Sequence, residues 1–137
     1  MKNLLIIVLL SIVTACGKTG PGTVRNTVEL VNKIGKQYNL KYEEKKLDDG
    51  TKWYQASLPE NLADSIEARI MTSIVKELSM FPNKKVENQF EQTEKYSYLM
   101  NTYTWQTPKM KLEMRYTQDM TKTVKPEYFI TFQVSSK

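Results

Sequence analysis

The chain of 137 residues contains no histidine and a single cysteine, Cys16. Without histidine it lacks the commonest general base and the commonest ligand of transition metals. One cysteine forms no intramolecular disulfide, and it leaves no Cys/His set for zinc. Only five glycines occur, with no phosphate-binding glycine-rich loop and no G-x-S-x-G motif. We therefore predict a protein that is not an enzyme and that holds no cofactor and no metal.

Carboxylates are the catalytic groups that remain. Asp48 and Asp49 are not followed by further oxygen ligands at the spacing of a calcium loop, so they predict a turn. A pair of carboxylates brought together by the fold would still allow a hydrolase. The residues that could form such a pair are Glu87, Glu91, Glu94 and Glu113.

The N-terminus has the build of an export signal. Lys2 precedes an apolar run from Leu4 to Val13, which is too short for the roughly 20 residues that a membrane-spanning helix needs. The segment Val13-Thr14-Ala15-Cys16-Gly17 then resembles the lipobox of bacterial lipoproteins. This resemblance covers residues 1–17 only. It implies that residues 1–15 are a signal peptide that is removed, and that Cys16 carries the lipid.

The same resemblance implies an address in the cell envelope. In Gram-negative lipoproteins of the enteric type, Asp after the lipidated Cys retains the protein in the inner membrane. Gly17 stands there, which implies the outer membrane, facing the periplasm. In a Gram-positive cell the protein would lie on the outer face of the plasma membrane. Stable anchoring needs two or more lipid chains, which lipoproteins carry.

Removal of residues 1–15 leaves 122 residues, enough for one domain with its own core. Residues 16–23 contain three glycines and a proline and predict a flexible tether, followed by a single domain over 24–137. Loss of Lys2 lowers the net charge from +5 to +4. The basic residues are scattered along the sequence, so we predict a solvated surface. Outside the membrane the available anions are lipid headgroups, polymers or an acidic protein rather than nucleic acid.

Hydrophobic periodicity predicts the α+β class, with two helices packed on one face of an antiparallel sheet in the order α-β-β-α-β-β-β. The first helix is predicted to have its N-cap at Asn26, with Glu29 three residues on in an arrangement close to a capping box, and to end near Tyr38. Asp49-Gly50 between two extended runs indicates a hairpin. Apolar residues every fourth position indicate the second helix, and alternation of period two indicates three C-terminal strands. The residues of the second helix pattern are Leu62, Ile66, Ile70, Ile74 and Leu78. The three strand patterns cover Tyr96–Thr102, Lys109–Tyr116 and Tyr128–Val134.

Aromatic side chains are the remaining functional signal, since binding surfaces favour Tyr and Trp. Tyr103 and Trp105 fall on the opposite face of their strand from Tyr98, so both faces of that strand carry aromatics and only one can pack on the helices. We therefore predict Tyr103, Trp105 and Trp53 as a partner-binding face. Packing in the core is the alternative for each.

Three functional classes follow from these features. The favoured one is a membrane-anchored envelope lipoprotein that acts as a non-catalytic binding or scaffolding module, with an envelope protein as partner. The second is an inhibitor or immunity lipoprotein that blocks a toxin or a cell-wall hydrolase. The third is a hydrolase that uses a carboxylate pair. The sequence does not predict the oligomeric state.

Overall fold

The computed structural model describes residues 22–122 and 124–137, without the side chains of Leu62 and Asp64. The predicted signal peptide, Cys16 and the predicted tether as far as Pro21 lie outside the described residues. Within the described part of the chain, no helix is both long enough and apolar enough to cross a membrane.

Two helices and one six-stranded sheet make up the domain, which confirms the predicted α+β class. The strands lie in the order β1-β2-β6-β5-β4-β3, and every neighbouring pair is antiparallel. A short 3₁₀ turn, Glu60–Leu62, precedes the second helix. The elements are α1 Val24–Gln37, β1 Glu43–Lys46, β2 Lys52–Leu58, α2 Ala63–Leu78, β3 Lys84–Gln92, β4 Ser97–Gln106, β5 Met110–Asp119 and β6 Glu127–Ser136.

Helix α1 begins earlier than predicted. Thr23 is its N-cap, and its side-chain oxygen accepts a hydrogen bond from the Asn26 backbone N–H at 3.3 Å. The expected cap at Asn26 is therefore wrong, because the hydroxyl three residues upstream takes that role. The Thr107 hydroxyl donates to the Gly22 carbonyl at 2.8 Å, which ties the start of the domain to the β4–β5 turn.

The core lies between the helices and one face of the sheet. Buried positions alternate with outward ones in β5 and β6, as the period-two pattern predicted, and also in β2 and in the second half of β4. Helix α1 contributes Leu30, Val31 and Ile34, and helix α2 contributes Ile66, Ile70 and Ile74. The buried sheet residues in this cluster are Tyr54, Ala56, Leu58, Tyr103, Trp105, Met110, Leu112, Met114, Tyr116, Ile130, Phe132 and Val134.

Strand β3 is absent from the predicted order, and the sheet therefore has one more strand at its edge than the sequence indicated. Its residues are mostly exposed, because it is paired on one side only and little covers it. A bulge interrupts the pairing with β4 between Val86 and Gln89, and Asn88 there has a φ of 54°. A strand that buries neither face has no hydrophobic alternation for the sequence to display.

Candidate functional site

The sheet face that points away from the helices is the candidate site, and we call it the open face. Strand register aligns its side chains in rows across all six strands. One row runs Lys45, Trp53, Gln133, Glu113, Thr104 and Lys84. The next row runs Glu43, Gln55, Thr131, Arg115, Thr102 and Val86.

Trp53 lies on this face near the β1 edge and is half-buried. The Lys45 Nζ lies 4.8 Å from the centroid of its ring, which is the geometry of a cation–π contact. Lys45 is exposed and Trp53 is half-buried, so part of the indole remains accessible to solvent beside the lysine. Of the three aromatics predicted for binding, Trp53 is the one that the structure places on an accessible surface.

A groove of about 320 Å³ crosses the other half of the open face, over β3, β4 and β5. Three basic side chains and one acid line it. Arg115 Nη2 lies 2.9 Å from Glu113 Oε1, and Lys111 Nζ lies 3.9 Å from Glu113 Oε2, while Lys84 has no ion pair with the described residues. Three positive charges against one negative charge favour an anionic or polar ligand group. The remaining lining residues are Asn83, Val86, Gln89, Thr102, Thr104 and Gln106.

The prediction that Tyr103 and Trp105 form an exposed face is wrong. Their side chains are 3% and 0% exposed, on the sheet face that the helices cover. The Trp105 indole N–H donates to the Met80 carbonyl at 3.2 Å, just beyond the end of α2, so its polar edge is satisfied by the backbone. The aromatics of the opposite face, which include Tyr98, are therefore the outward ones.

Tyr103 instead joins a polar cluster at the margin of the core. Its hydroxyl lies 2.7 Å from Glu67 Oε1 and 3.3 Å from Glu87 Oε1, and Asn101 Nδ2 donates to Glu67 at 2.9 Å. Burial raises the pKa of Tyr103, and the two carboxylates raise it further because each disfavours the phenolate. The cluster therefore fixes α2 against β3 and β4 through a neutral phenol.

The cluster brings Glu87, one of the four carboxylates that the sequence analysis left open, close to Glu67, which was not among them. The hydrogen bond from Lys85 Nζ at 2.8 Å lowers the pKa of Glu87, which makes it a poor general acid at neutral pH. Glu67 was missed because it lies on the polar flank of the α2 stripe, where an acid is ordinarily solvated. Glu113 lies on the open face, Glu91 lies opposite Tyr98 near the end of β3, and Glu94 lies beyond that strand.

Asp48 and Asp49 lie in the β1–β2 turn, as the sequence predicted, and Asp49 stabilises that turn. The Asp49 side chain accepts the Thr51 backbone N–H at 2.9 Å, and this bond lowers the pKa of Asp49. Gly50 has a φ of 83°, which suits glycine. Across residues 22–122 and 124–137 there is no group of three or more metal-ligating side chains.

Comparison with known proteins identifies no relative. No family model, no curated protein and no solved structure matches this chain.

Proposed function

We propose that this protein is a membrane-anchored envelope lipoprotein that binds a partner through the open face of its sheet and performs no chemistry of its own. One observation carries the binding role. The helices cover one side of a six-stranded sheet and leave the other uncovered, and that side presents Trp53 beside Lys45 together with the basic groove around Arg115. Tryptophan and arginine are the residue types that most often anchor protein interfaces.

Side chains rather than sheet edges provide the recognition. Strand β1 is one edge, and all four of its residues are charged and exposed. Strand β3 is the other edge, and its bulge and polar sequence disrupt the flat hydrogen-bonding surface that an added strand needs. A partner therefore lies across the rows of the open face instead of extending the sheet.

Photo-crosslinking in cells tests the binding surface. A crosslinking amino acid at Thr131, in the centre of the open face, should capture a partner that the same group at Lys76, exposed on α2, does not capture. Trp53→Ala should weaken that capture, with Phe90→Ala as the control because Phe90 is an exposed aromatic off the open face. Capture at Lys76 alone, or capture unaffected by Trp53→Ala, would contradict the proposal. If the captured protein is a toxin or a wall hydrolase that loses activity on binding, the role is that of an inhibitor.

The anchor has a separate test. Cys16→Ser should abolish labelling by palmitate and leave an uncut precursor. Mature protein without label from the unaltered chain would show that an ordinary signal peptidase acts here. If the organism is Gram-negative, Gly17 predicts cofractionation with the outer membrane on a density gradient.

A further inference from the structure

The fold gathers at one end of the domain basic residues that are scattered along the sequence. We call this the tether end, because the chain enters the domain there at Gly22, hydrogen-bonded to Thr107 in the β4–β5 turn. Antiparallel pairing brings the β1–β2 turn and the start of β3 to the same end. The connection from α2 to β3 also lies there, since Trp105 contacts the Met80 carbonyl and the Asn83 N–H donates to the Thr104 carbonyl.

Four exposed lysines at this end make no ion pair with any other described residue: Lys46, Lys52, Lys84 and Lys109. Lys46 and Lys52 lie directly opposite each other in the β1–β2 hairpin. Like charges facing each other across two strands destabilise the pair unless an anion lies between them. The acids of the same turn, Asp48 and Asp49, offset part of this charge, since the Thr51 backbone N–H that donates to Asp49 favours its ionised form.

The opposite end of the domain differs in charge and in pairing. Its lysines are largely neutralised, because Lys122 Nζ lies 3.0 Å from Glu127 and Lys125 Nζ lies 2.8 Å from Glu60. Further acids, Glu91, Glu94 and Asp119, lie at the adjoining strand ends. Among the described residues, the tether end is therefore more positively charged than the opposite end.

We propose that the tether end docks on anionic phospholipid headgroups and holds the domain upright on the bilayer. This rests on the proposed lipid anchor at Cys16. Six residue steps separate Cys16 from Gly22, so the anchor keeps Gly22 within about 22 Å of the lipid at full extension. Charge complementarity then selects this end, since juxtamembrane lysines are attracted to anionic lipid within a Debye length of the surface.

Phe81 adds an apolar contact at the same end. Its side chain is 78% exposed in the connection between α2 and β3, three residues before Lys84. An aromatic ring beside basic residues suits the boundary between headgroups and acyl chains. Each basic residue near an anionic surface favours the docked state about fivefold, so three together contribute roughly a hundredfold.

The test uses the mature lipidated protein reconstituted in vesicles. An environment-sensitive fluorophore is attached through Pro108→Cys at the tether end or through Glu94→Cys at the other, because lipidation blocks the thiol of Cys16. The vesicles are phosphatidylcholine alone or with phosphatidylglycerol. We expect the Pro108→Cys probe to shift to the blue only with phosphatidylglycerol, and high salt to reverse the shift, while the Glu94→Cys probe stays unchanged.

Two triple variants with the same loss of charge test whether the lysines of the tether end are responsible for docking. The triple change K52Q/K84Q/K109Q should reduce the docked-to-undocked ratio roughly a hundredfold, whereas K95Q/K122Q/K125Q, with the same loss of charge, should change it little. Phe81→Ser should weaken docking and Phe90→Ser should not. Equal responses of the two triple variants, or a shift that only lipopolysaccharide or teichoic acid produces, would overturn the proposal. Flotation with pure phosphatidylcholine vesicles reports the anchor alone, so a failed anchor is distinguished from failed docking.

Discussion

The two tryptophans of the chain provide a direct test of which sheet face is covered. Trp105 is fully buried, and its replacement by alanine should cost about 3–5 kcal/mol in the free energy of unfolding. Loss of the indole N–H also leaves the Met80 carbonyl without its partner, which places the cost in the upper part of that range. A domain of this size has a total stability of roughly 6–17 kcal/mol. The substitution therefore removes a large fraction of it.

Trp53 is the matched control, because it is the same residue type on the open face. Its replacement by alanine loses the contact with Lys45, worth about 0.5–1 kcal/mol, and the burial of part of the ring, so the total cost should be roughly half that of Trp105→Ala or less. At roughly 4 °C per kcal/mol for a domain of this length, the melting midpoint should fall by about 15 °C or more for Trp105→Ala and by about 8 °C or less for Trp53→Ala.

Fluorescence provides the second measurement, since each single-tryptophan variant reports on the indole that remains. Trp53→Phe leaves Trp105, which should emit at short wavelength and resist quenching by acrylamide. Trp105→Phe leaves Trp53, which should emit at longer wavelength and be quenched readily. Equal costs for the two alanine variants, together with equal quenching, would refute the assignment of the covered face.

Two further predictions concern packing and pH. Gly35→Ala in α1 should overpack the contact with Tyr42 at a cost of roughly 1–3 kcal/mol, because the new Cβ would lie 2.5 Å from its ring. Helix propensity offsets about 1 kcal/mol, so we expect a net loss of up to about 2 kcal/mol in denaturant unfolding, with Lys36→Ala as the exposed control. The raised pKa of Tyr103 stabilises the fold below the unfolded tyrosine pKa of about 10, and this stabilisation is lost as the pH rises above that value. Thermal midpoints should fall between about pH 9 and pH 11, less steeply in Tyr103→Phe, and a pH-independent midpoint would contradict this.

The parts of the fold that bury one face could be predicted from the sequence. Met110, Leu112, Met114 and Tyr116 alternate with polar residues because the helices cover one side of β5 only. The Asp49-Gly50 hairpin was predicted because its turn needs local chemistry rather than tertiary contacts. Strand β3 could not be predicted in this way, since its pairing with β4 is made by the backbone and leaves no hydrophobic pattern.

For the aromatic residues predicted to bind a partner, alternation along the strand was not sufficient to predict which face is exposed. Alternation in β4 separates Tyr103 and Trp105 from Tyr98, but it does not reveal which set the helices cover, because both are aromatic. The choice depends on register with β5, where Leu112 lies opposite Trp105 on the buried face. Trp53 was ambiguous for the same reason, and pairing with Gln133 on the outward side of β6 places it on the open face.

Docking of the tether end would also restrict what can bind the open face. Strands of ten residues extend about 34 Å, so an upright sheet presents its open face sideways, from the headgroups outward. Trp53 is the second residue of β2 counted from the tether end, and Lys84 is the first residue of β3, so in the docked state both would lie close to the bilayer. A ligand that spans Trp53 and the groove at Arg115 would then have to reach the membrane surface. A protein anchored in the same membrane meets that requirement, because it is already confined to that layer, whereas a large soluble protein would collide with the headgroups.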